Sequence, residues 1–343
     1  MLRIAMLSFA HVHVGGYVEE IVKHPEAEVA CLWDDDPKRL QAAAQRFGAP
    51  ACDDLDAILE RADIDGVVIS SETAKHAQLI EAAIQHGKHV FTEKGLTIRL
   101  EKANEIVRAV NDSDIRFMIM LPMRTRADIL FMKRTLDEGW IGKVSLMRAH
   151  IGHNWAIDRL FKDGHIWFGD CELAGGGAMF ELGSHTVDIM RWFMGEPKSV
   201  VAKINNFSGA YPIDDNSAAV VEFRSGALGI LDTAWVQRAG PNPVEIYGTD
   251  GFIGLDLWRE PYGGLRLTST KLQPNGIQGY IEPTELPDAL PGPMDQWISA
   301  ILHGTEMTIT VEDGRNLTEM LEGIYTAARK GSQYVFQEGL ASD

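Results

Sequence analysis

Up to about residue 120, the chain alternates short apolar runs with amphipathic segments. Strands alternating with helices predict βαβ units, whose right-handed crossovers build a parallel sheet covered on both faces. We therefore expect a doubly wound α/β domain over residues 1–121. The predicted strands are Ile4–Leu7, Val29–Trp33, Gly66–Ser70, His89–Thr92 and Phe117–Leu121. The predicted helices are Tyr17–Lys23, Pro37–Phe47, Leu55–Arg61, Ala74–Gln85 and Glu101–Val110.

The pattern changes after Pro122. Strand-like runs now follow one another, and turn dipeptides such as Asp250-Gly251 separate some of them, which is typical of antiparallel hairpins. We expect a second, α+β domain over residues 122–343. Its predicted helices are Ala127–Glu138, Ala178–Met194, Asp295–His303 and Arg315–Arg329. Its predicted strands are Val200–Asn205, Ala218–Phe223, Leu228–Trp235, Val244–Tyr247 and Phe252–Leu257.

Charge and cysteine content narrow the class of protein. The 343 residues carry a formal net charge of −17, which argues against binding to nucleic acid or an anionic membrane surface. No apolar stretch approaches the roughly 20 residues of a membrane helix, and His11 interrupts the apolar start, so we predict neither a membrane span nor a signal peptide. Cys31, Cys52 and Cys171 are few and widely spaced, which favours a reducing cytoplasm.

The first strand–helix turn is a candidate dinucleotide site. A G-x-G-x-x-G sequence would bring bare backbone to a pyrophosphate at a helix N-terminus, but Ser8, Ala10 and His13 occupy the three glycine positions. An ordinary turn is the alternative. Asp34 ends the second strand, where a carboxylate accepts the adenosine ribose hydroxyls and repels a 2′-phosphate, which favours NAD over NADP. The competing interpretation is that this acidic run caps the helix that Pro37 opens, through Asp35 or Asp36.

A second candidate is the Glu93-Lys94 pair. It lies just outside the carboxyl end of a predicted parallel strand, where ligands bind in open α/β sheets. A lysine at this place can donate a hydrogen bond to a substrate oxygen and stabilise developing charge. An exposed turn lysine is the alternative.

A polar stripe runs along the mostly apolar helix Ala178–Met194. The i,i+4 spacing would allow the carboxylate of Glu181 to hold His185 in one tautomer, as an orienting acid does for a general base. A solvated helix face with an ordinary i,i+4 pair is the alternative. The stripe consists of Glu181, Ser184, His185, Asp188 and Arg191.

Taken in order, these motifs resemble the Gfo/Idh/MocA family, the relatives of glucose–fructose oxidoreductase and inositol dehydrogenase. The resemblance covers nearly the whole chain. It also rests on Thr73 and His76, Gly87-Lys88-His89-Val90, Gly139 with Gly142-Lys143-Val144, and Glu312-Asp313-Gly314-Arg315.

The resemblance implies a Rossmann domain that binds NAD(H) or NADP(H), and a C-terminal domain whose large open sheet serves oligomerisation, as a dimer or tetramer. It implies a sugar or cyclitol substrate. Lys94 matches the lysine of the family's Glu-Lys-Pro motif, and His185 the histidine of its Asp-x-x-x-His pair. The chain departs from the family at Gly95, which replaces proline, at Glu181, which replaces aspartate, and at the three positions without glycine.

Our working hypothesis is a cytoplasmic NAD-dependent dehydrogenase of a neutral sugar or polyol. His185 takes the carbinol proton, Lys94 binds the carbinol oxygen and Glu181 orients His185. No metal ligand is assigned. The expected cofactor contacts are Ser8, Ala10, His11, His13, Asp34, Thr73, His76, Glu93 and Lys94. The expected substrate contacts are Lys94, His153, Trp167, His185 and Asp188.

Two other functions compete with this hypothesis. The first is a metal-dependent barrel hydrolase, in which His11 and His13 would hold zinc after the first strand. The second is a non-catalytic NAD-sensing or ligand-binding protein on the same fold, which the altered glycine positions favour.

Overall fold

The computed structural model describes residues 1–259 and 264–337, which form two compact units. The first unit contains 1–122, 161–175 and 291–318, and the second contains the remaining described residues. The first break lies one residue from the predicted limit, and the contiguous domains 1–121 and 122–343 stay a prediction. The later segment 291–318 joins the first unit because Trp297 packs on Phe91, with ring centroids 5.8 Å apart, and donates to the carbonyl of Arg116.

The first unit contains the predicted doubly wound parallel sheet. Its five strands have the order β2-β1-β3-β4-β5, and every pair is parallel. The strand order reverses beside β1, and ligands bind at such a switch point outside the carboxyl ends of the strands. The strands are β1 (Leu2–Leu7), β2 (Ala27–Trp33), β3 (Gly66–Ile69), β4 (His89–Thr92) and β5 (Phe117–Ile119). The helices are α1 (Val14–Lys23), α2 (Pro37–Phe47), α3 (Leu55–Leu59), α4 (His76–Gln85) and α5 (Leu100–Asn111).

Local sequence accounts for the ends of α2. Asp36 is its N-cap, and the carboxylate accepts hydrogen bonds from the backbone N–H groups of Lys38 and Arg39, while Pro37 occupies the first turn. Gly48 ends the helix at a φ of 69°, in the left-handed region. The predicted capping role for this acidic run is therefore confirmed for Asp36, and Asp34 lies outside the cap.

The second unit is built on an eight-stranded sheet in the order β12-β11-β10-β6-β9-β8-β7-β13. Only the β6–β9 pair is parallel among the pairs of this sheet, so the predicted antiparallel character is confirmed. The strands are β6 (Val144–Gly152), β7 (Pro197–Asn205), β8 (Asn216–Phe223), β9 (Leu228–Ala234), β10 (Pro243–Gly248), β11 (Gly251–Asp256), β12 (Arg266–Ser269) and β13 (Tyr334–Val335).

Helices complete the chain. They are α6 (Ala127–Asp137), α7 (Cys171–Ala174), α8 (Ala178–Glu181), α9 (Ser184–Met194), α10 (Pro293–His303) and α11 (Val311–Lys330). Short 3₁₀ helices lie at Thr73–Lys75, Pro122–Thr125 and Asp163–Gly169. Across the described ranges, no helix has the length and apolar character needed to cross a bilayer. The three cysteines form no disulfide.

The predicted helix Ala178–Met194 is in fact two helices, because α8 ends at Glu181 and α9 begins at Ser184. At the break, the N–H of Gly183 donates to the carbonyl of Ala178 at 2.9 Å, which closes a turn one residue wider than an α-helical turn. A Cβ atom at Gly183 would lie 2.5 Å from the carbonyl oxygen of Met179 and 2.8 Å from Oγ1 of Thr233. Only glycine fits this close approach to β9.

Candidate functional site

The turn after β1 adopts at Ser8 a backbone conformation that usually requires glycine. Ser8 has a φ of 71°, in the left-handed region that favours glycine. Ala10 is buried, and its carbonyl accepts hydrogen bonds from the indole N–H of Trp167 at 3.0 Å and from His165 at 3.1 Å. Trp167 therefore supports this turn from a buried position. Its predicted role as a substrate contact stays a prediction.

Asp34 lies at the carboxyl end of β2, as predicted, but its carboxylate is already surrounded by donors. It accepts hydrogen bonds from the backbone N–H groups of Phe9 at 2.7 Å and Asp36 at 2.8 Å. The guanidinium of Arg39 donates to both of its oxygens, at 2.9–3.1 Å. The Asp34 side chain is fully buried, so it positions the turn and Arg39, and direct ribose binding by Asp34 stays a prediction.

Asp34 belongs to a network of ion pairs. Arg39 also pairs with Asp35 at 2.9 Å and Glu72 at 3.2 Å, and Lys75 pairs with the same two acids. Burial raises the pKa of Asp35, but the hydrogen bond and charge of Lys75 outweigh it and hold the pKa below its ordinary value. Three carboxylates thus meet two cations at the carboxyl ends of β2 and β3.

Glu93 is the most buried acid of the candidate site, with 0% of its surface exposed at the end of β4. Its Oε1 atom lies 3.0 Å from Nδ1 of His11 and 2.9 Å from Nδ1 of His13, and the hydroxyl of Tyr17 donates to the same oxygen. Burial raises the pKa of Glu93, yet the two histidines outweigh it and hold the pKa well below its ordinary value. Burial lowers the pKa of His11 and, with Glu93, raises that of Tyr17 well above its ordinary value.

Lys94 follows Glu93 directly and is 6% exposed, so the alternative of an exposed turn lysine is wrong. Its backbone N–H donates to Oε2 of Glu93 at 3.1 Å. Gly95 has a φ of 78°, which the ring of a proline excludes, so the glycine at this position reflects a different turn from the family's Glu-Lys-Pro.

The predicted cofactor contacts Thr73 and His76 lie beside this turn, after β3. Both are buried. The ring of His76 lies 2.9 Å from the carbonyl oxygen of Gly95 and 3.3 Å from that of Ser71, so His76 links the segments that follow β3 and β4. Burial lowers the pKa of His76. Both contacts of His76 are to loop carbonyl oxygens, and a direct contact with a cofactor stays a prediction for Thr73 and His76.

In the second unit, Glu181 ends α8 and His185 is the second residue of α9. Both are half-buried. The wide turn at Gly183 separates them, so they do not share one regular helical turn as the sequence predicted. Irregular turns of this kind are frequent at functional sites. The catalytic roles of Glu181 and His185 stay predictions.

The other three residues of the polar stripe are buried, which excludes the predicted alternative of a solvated face. Ser184, Asp188 and Arg191 are all under 9% exposed. Asp188 receives a two-pronged ion pair from Arg124, at 3.0 and 2.7 Å, and Arg124 also stacks over the ring of Trp192 at 5.1 Å. This pairing gives Asp188 a structural role, and its contact with substrate stays a prediction.

His153 lies just after β6 and lines a polar cavity of about 220 Å³. Its ring stacks on Trp155, with centroids 4.6 Å apart, and lies parallel to buried Trp235 at 6.4 Å. Other lining residues include His150, Asn154, Gln237, Arg238 and Trp258. Amide, imidazole and indole groups of this kind suit a hydroxyl-rich ligand.

Two family models match the chain. Residues 14–120 match a model described as an oxidoreductase family with an NAD-binding Rossmann fold. Residues 129–254 match the GFO/IDH/MocA C-terminal domain. The chain belongs to the GFO/IDH/MocA oxidoreductase family.

Dehydrogenases named after sugars are among the proteins that the chain resembles. The chain is 26% identical to levoglucosan dehydrogenase of Pseudarthrobacter phenanthrenivorans, over 63% of this chain and 62% of that protein. It is 25% identical to D-apiose dehydrogenase of Rhizobium rhizogenes, over 89% of each chain. Among solved structures, GenD2 from gentamicin A biosynthesis in complex with NAD is 25% identical, with a TM-score of 0.82, over 98% of this chain and 97% of that chain.

Membership of the GFO/IDH/MocA family corrects one of the competing functions. The barrel hydrolase is wrong, because the described residues form a five-stranded parallel sheet and an eight-stranded mixed sheet in place of eight βα units. The histidines that suggested it, His11 and His13, do converge, but on Glu93 of a Rossmann domain.

Three site residues escaped the sequence reasoning. Tyr17 lies four residues after His13, one helical turn further along α1, and this spacing could have indicated their shared partner. Arg39 lies five residues after Asp34, in the first turn of α2. Arg124 has no sequence signal that points to Asp188, since 64 residues separate the two.

Proposed function

We propose that this protein transfers a hydride between NAD(H) and the carbinol carbon of a neutral sugar or polyol. The observation that supports this most is the position of Lys94, a buried lysine held by Glu93 just outside the carboxyl end of β4 in an NAD-binding Rossmann domain. The similarity to dehydrogenases of levoglucosan and D-apiose, both polyhydroxy compounds, supports the substrate class.

The residues around the first turn fit a dinucleotide. Ser8 adopts the left-handed backbone that the first glycine of the usual loop supplies. The turn leads into the N-terminus of α1, where backbone N–H groups attract phosphate, and the half-exposed His13 lies at that N-terminus. Bound NAD would accept the hydride at its nicotinamide ring.

The chain's own residues would manage the proton and the developing charge. For Lys94 we propose a hydrogen bond from its ammonium to the carbinol oxygen, which stabilises negative charge on that oxygen as the C–H bond breaks. For His185 we propose the general base that takes the O–H proton, so that hydride loss and proton loss together leave a carbonyl. Glu181 would position His185, and His153, Trp167 and Asp188 remain the proposed further substrate contacts.

Coenzyme and substrate are tested in one experiment. A panel of neutral sugars and polyols, with uronic acids and sugar phosphates as the charged comparison, is assayed by nicotinamide absorbance with NAD and NADP side by side. We expect kcat/KM to favour NAD by about tenfold or more, because Arg39 and Lys75 offset only two of the three carboxylates and the remaining charge repels a 2′-phosphate. Asp35→Ser should narrow the preference, and Asp112→Ser, at an exposed position, should leave it unchanged.

Two results would contradict this proposal. Faster reduction of NADP would remove the argument from the acidic cluster at β2. Tight NADH binding with no turnover of any compound would favour the NAD-sensing alternative.

His185→Ala should lower kcat by about 100- to 10,000-fold, the usual contribution of a positioned general base. NADH binding, followed by fluorescence, should stay as in the wild type. Glu181→Gln should move the pH profile of kcat/KM, because loss of the carboxylate changes the basicity of an imidazole that it orients. His86→Ala, on the exposed end of α4, is the matched control. Unchanged turnover in His185→Ala would exclude it as the base.

We also propose that the protein forms a dimer or tetramer through the outward face of its eight-stranded sheet. Val201, Val220 and Leu228 are large apolar residues exposed on this face, and a shallow apolar depression lies beside them. Such a patch is typical of an interaction surface. We also propose a cytoplasmic location, which the few and widely spaced cysteines favour.

A further inference from the structure

Three polar atoms crowd one oxygen of the buried Glu93, its Oε1. Nδ1 of His11, Nδ1 of His13 and the hydroxyl of Tyr17 all lie within hydrogen-bond distance of this one atom. A carboxylate oxygen offers two lone pairs. The side chain is fully buried, so water does not compensate for a poorly made bond.

A hydrogen bond to His11 indicates which of the atoms around Oε1 of Glu93 carries no proton. The Nδ1 atom of His11 accepts a hydrogen bond from the backbone N–H of His13 at 3.3 Å. A ring nitrogen that accepts a hydrogen bond carries no proton, so Nδ1 of His11 and Oε1 of Glu93 are then two acceptors 3.0 Å apart. A cation between two such atoms turns their repulsion into attraction. Nδ1 has a single lone pair, which would turn from the long His13 contact to a metal ion.

We propose that His11, His13 and Glu93 bind a divalent transition-metal ion of the zinc class. Two imidazoles and one carboxylate are a common ligand set for zinc with an open position. The three ligand atoms lie within 4.8 Å of one another. Tetrahedral bonds of about 2.0–2.1 Å would place neighbouring ligand atoms about 3.3 Å apart. The two separations from Oε1, 2.9 and 3.0 Å, would widen slightly, and the two imidazole nitrogens, which lie within 4.8 Å of each other, would adjust to the same value.

One side of this proposed metal site is packed by aromatic rings, and the other side is open to solvent. The ring of His11 is packed edge-on against Phe168, with centroids 5.3 Å apart, and Trp167 lies at 6.0 Å, so this ligand is preoriented. The His13 side chain is 44% exposed and provides the solvent side of the site. Tyr17, through its hydroxyl on Oε1, holds the carboxylate in place as an outer partner of the ligands.

The test uses the full chain without a histidine tag, after chelator treatment and in the absence of dinucleotide and sugar. Cobalt(II) serves as the optical probe, because tetrahedral cobalt absorbs in the visible range, and zinc binding is followed by calorimetry. The wild type should bind one equivalent of each ion. His13→Gln should weaken zinc binding at least about tenfold, since loss of even an outer partner of a ligand costs 10- to 100-fold.

His86→Gln serves as the control, since this exposed histidine lies at the end of α4, outside the cluster. It should bind both ions like the wild type. His13 is half-exposed, so the His13→Gln variant should fold. It therefore tests the proposal even if Glu93→Gln, a change at a buried position, prevents folding. Two results would overturn the proposal. The wild-type protein could show neither the cobalt absorption band nor heat of zinc binding, or the His13→Gln variant could bind zinc with wild-type affinity. Neither readout depends on dehydrogenase activity, so the proposed function is tested separately.

Discussion

Lys94→Met should lower kcat by about 100- to 1,000-fold or more, which is the cost of removing one preorganised donor to a developing oxyanion. The reason is that Lys94 is 6% exposed and anchored through its backbone to Glu93, so its ammonium would meet the carbinol oxygen with little reorganisation. Initial rates at saturating sugar and NAD measure this loss. NADH affinity should change less than kcat, and any loss of affinity would measure the predicted contact of Lys94 with the cofactor.

Lys102→Met is the matched control, since it removes a lysine from an exposed position on α5. It should have wild-type kcat and KM. Normal turnover of sugars by Lys94→Met would show that the lysine is structural and would leave the proposed chemistry without its electrophile. Circular dichroism of both variants separates a catalytic loss from unfolding.

Asp188→Ala should lower the free energy of unfolding by about 3–5 kcal/mol, because it leaves the guanidinium of Arg124 buried without its carboxylate. The pair is two-pronged, at 3.0 and 2.7 Å, and Asp188 is 2% exposed. Urea denaturation followed by tryptophan fluorescence measures the change, since Trp192 lies beside Arg124.

A double replacement tests whether the loss of stability comes from leaving the buried charge of Arg124 unpaired. Arg124→Met combined with Asp188→Leu should recover most of the stability, because apolar groups of similar volume often replace a buried ion pair without cost. Glu138→Ala, which breaks an exposed pair with Arg134 one helical turn away, should leave the urea midpoint nearly unchanged. A stable Asp188→Ala protein with a raised KM would instead support the predicted substrate contact.

The apolar pattern predicted the first unit closely. All five predicted strands are present, because a strand buried on both faces is a nearly continuous apolar run bounded by turn residues. The strand β6 was not predicted, although it lies inside the second sheet. Its buried residues Met147, Ala149 and Ile151 alternate with the polar Arg148 and His150, and this period-two signal could have indicated the strand.

The sequence predicted where the candidate site residues lie, but it did not predict their hydrogen-bond partners. It placed Asp34, Glu93 and Lys94 at the carboxyl ends of parallel strands, where the structure has them. The hydrogen-bond partners of these residues could not be predicted, because they come from distant parts of the chain. Glu93 meets His13 across 80 residues, and Trp167 reaches the carbonyl of Ala10 across 157.

The sequence by itself determined the class of fold, the family and the residue types available for chemistry, because periodicity and ordered motifs are local properties of the chain. Only the tertiary structure decided what those residues meet. It buried the carboxylate of Asp34 under Arg39, paired Asp188 with Arg124 and brought His11 and His13 onto one oxygen of Glu93. A buried charge must find a partner, and the packing of distant segments decides which partner is within reach.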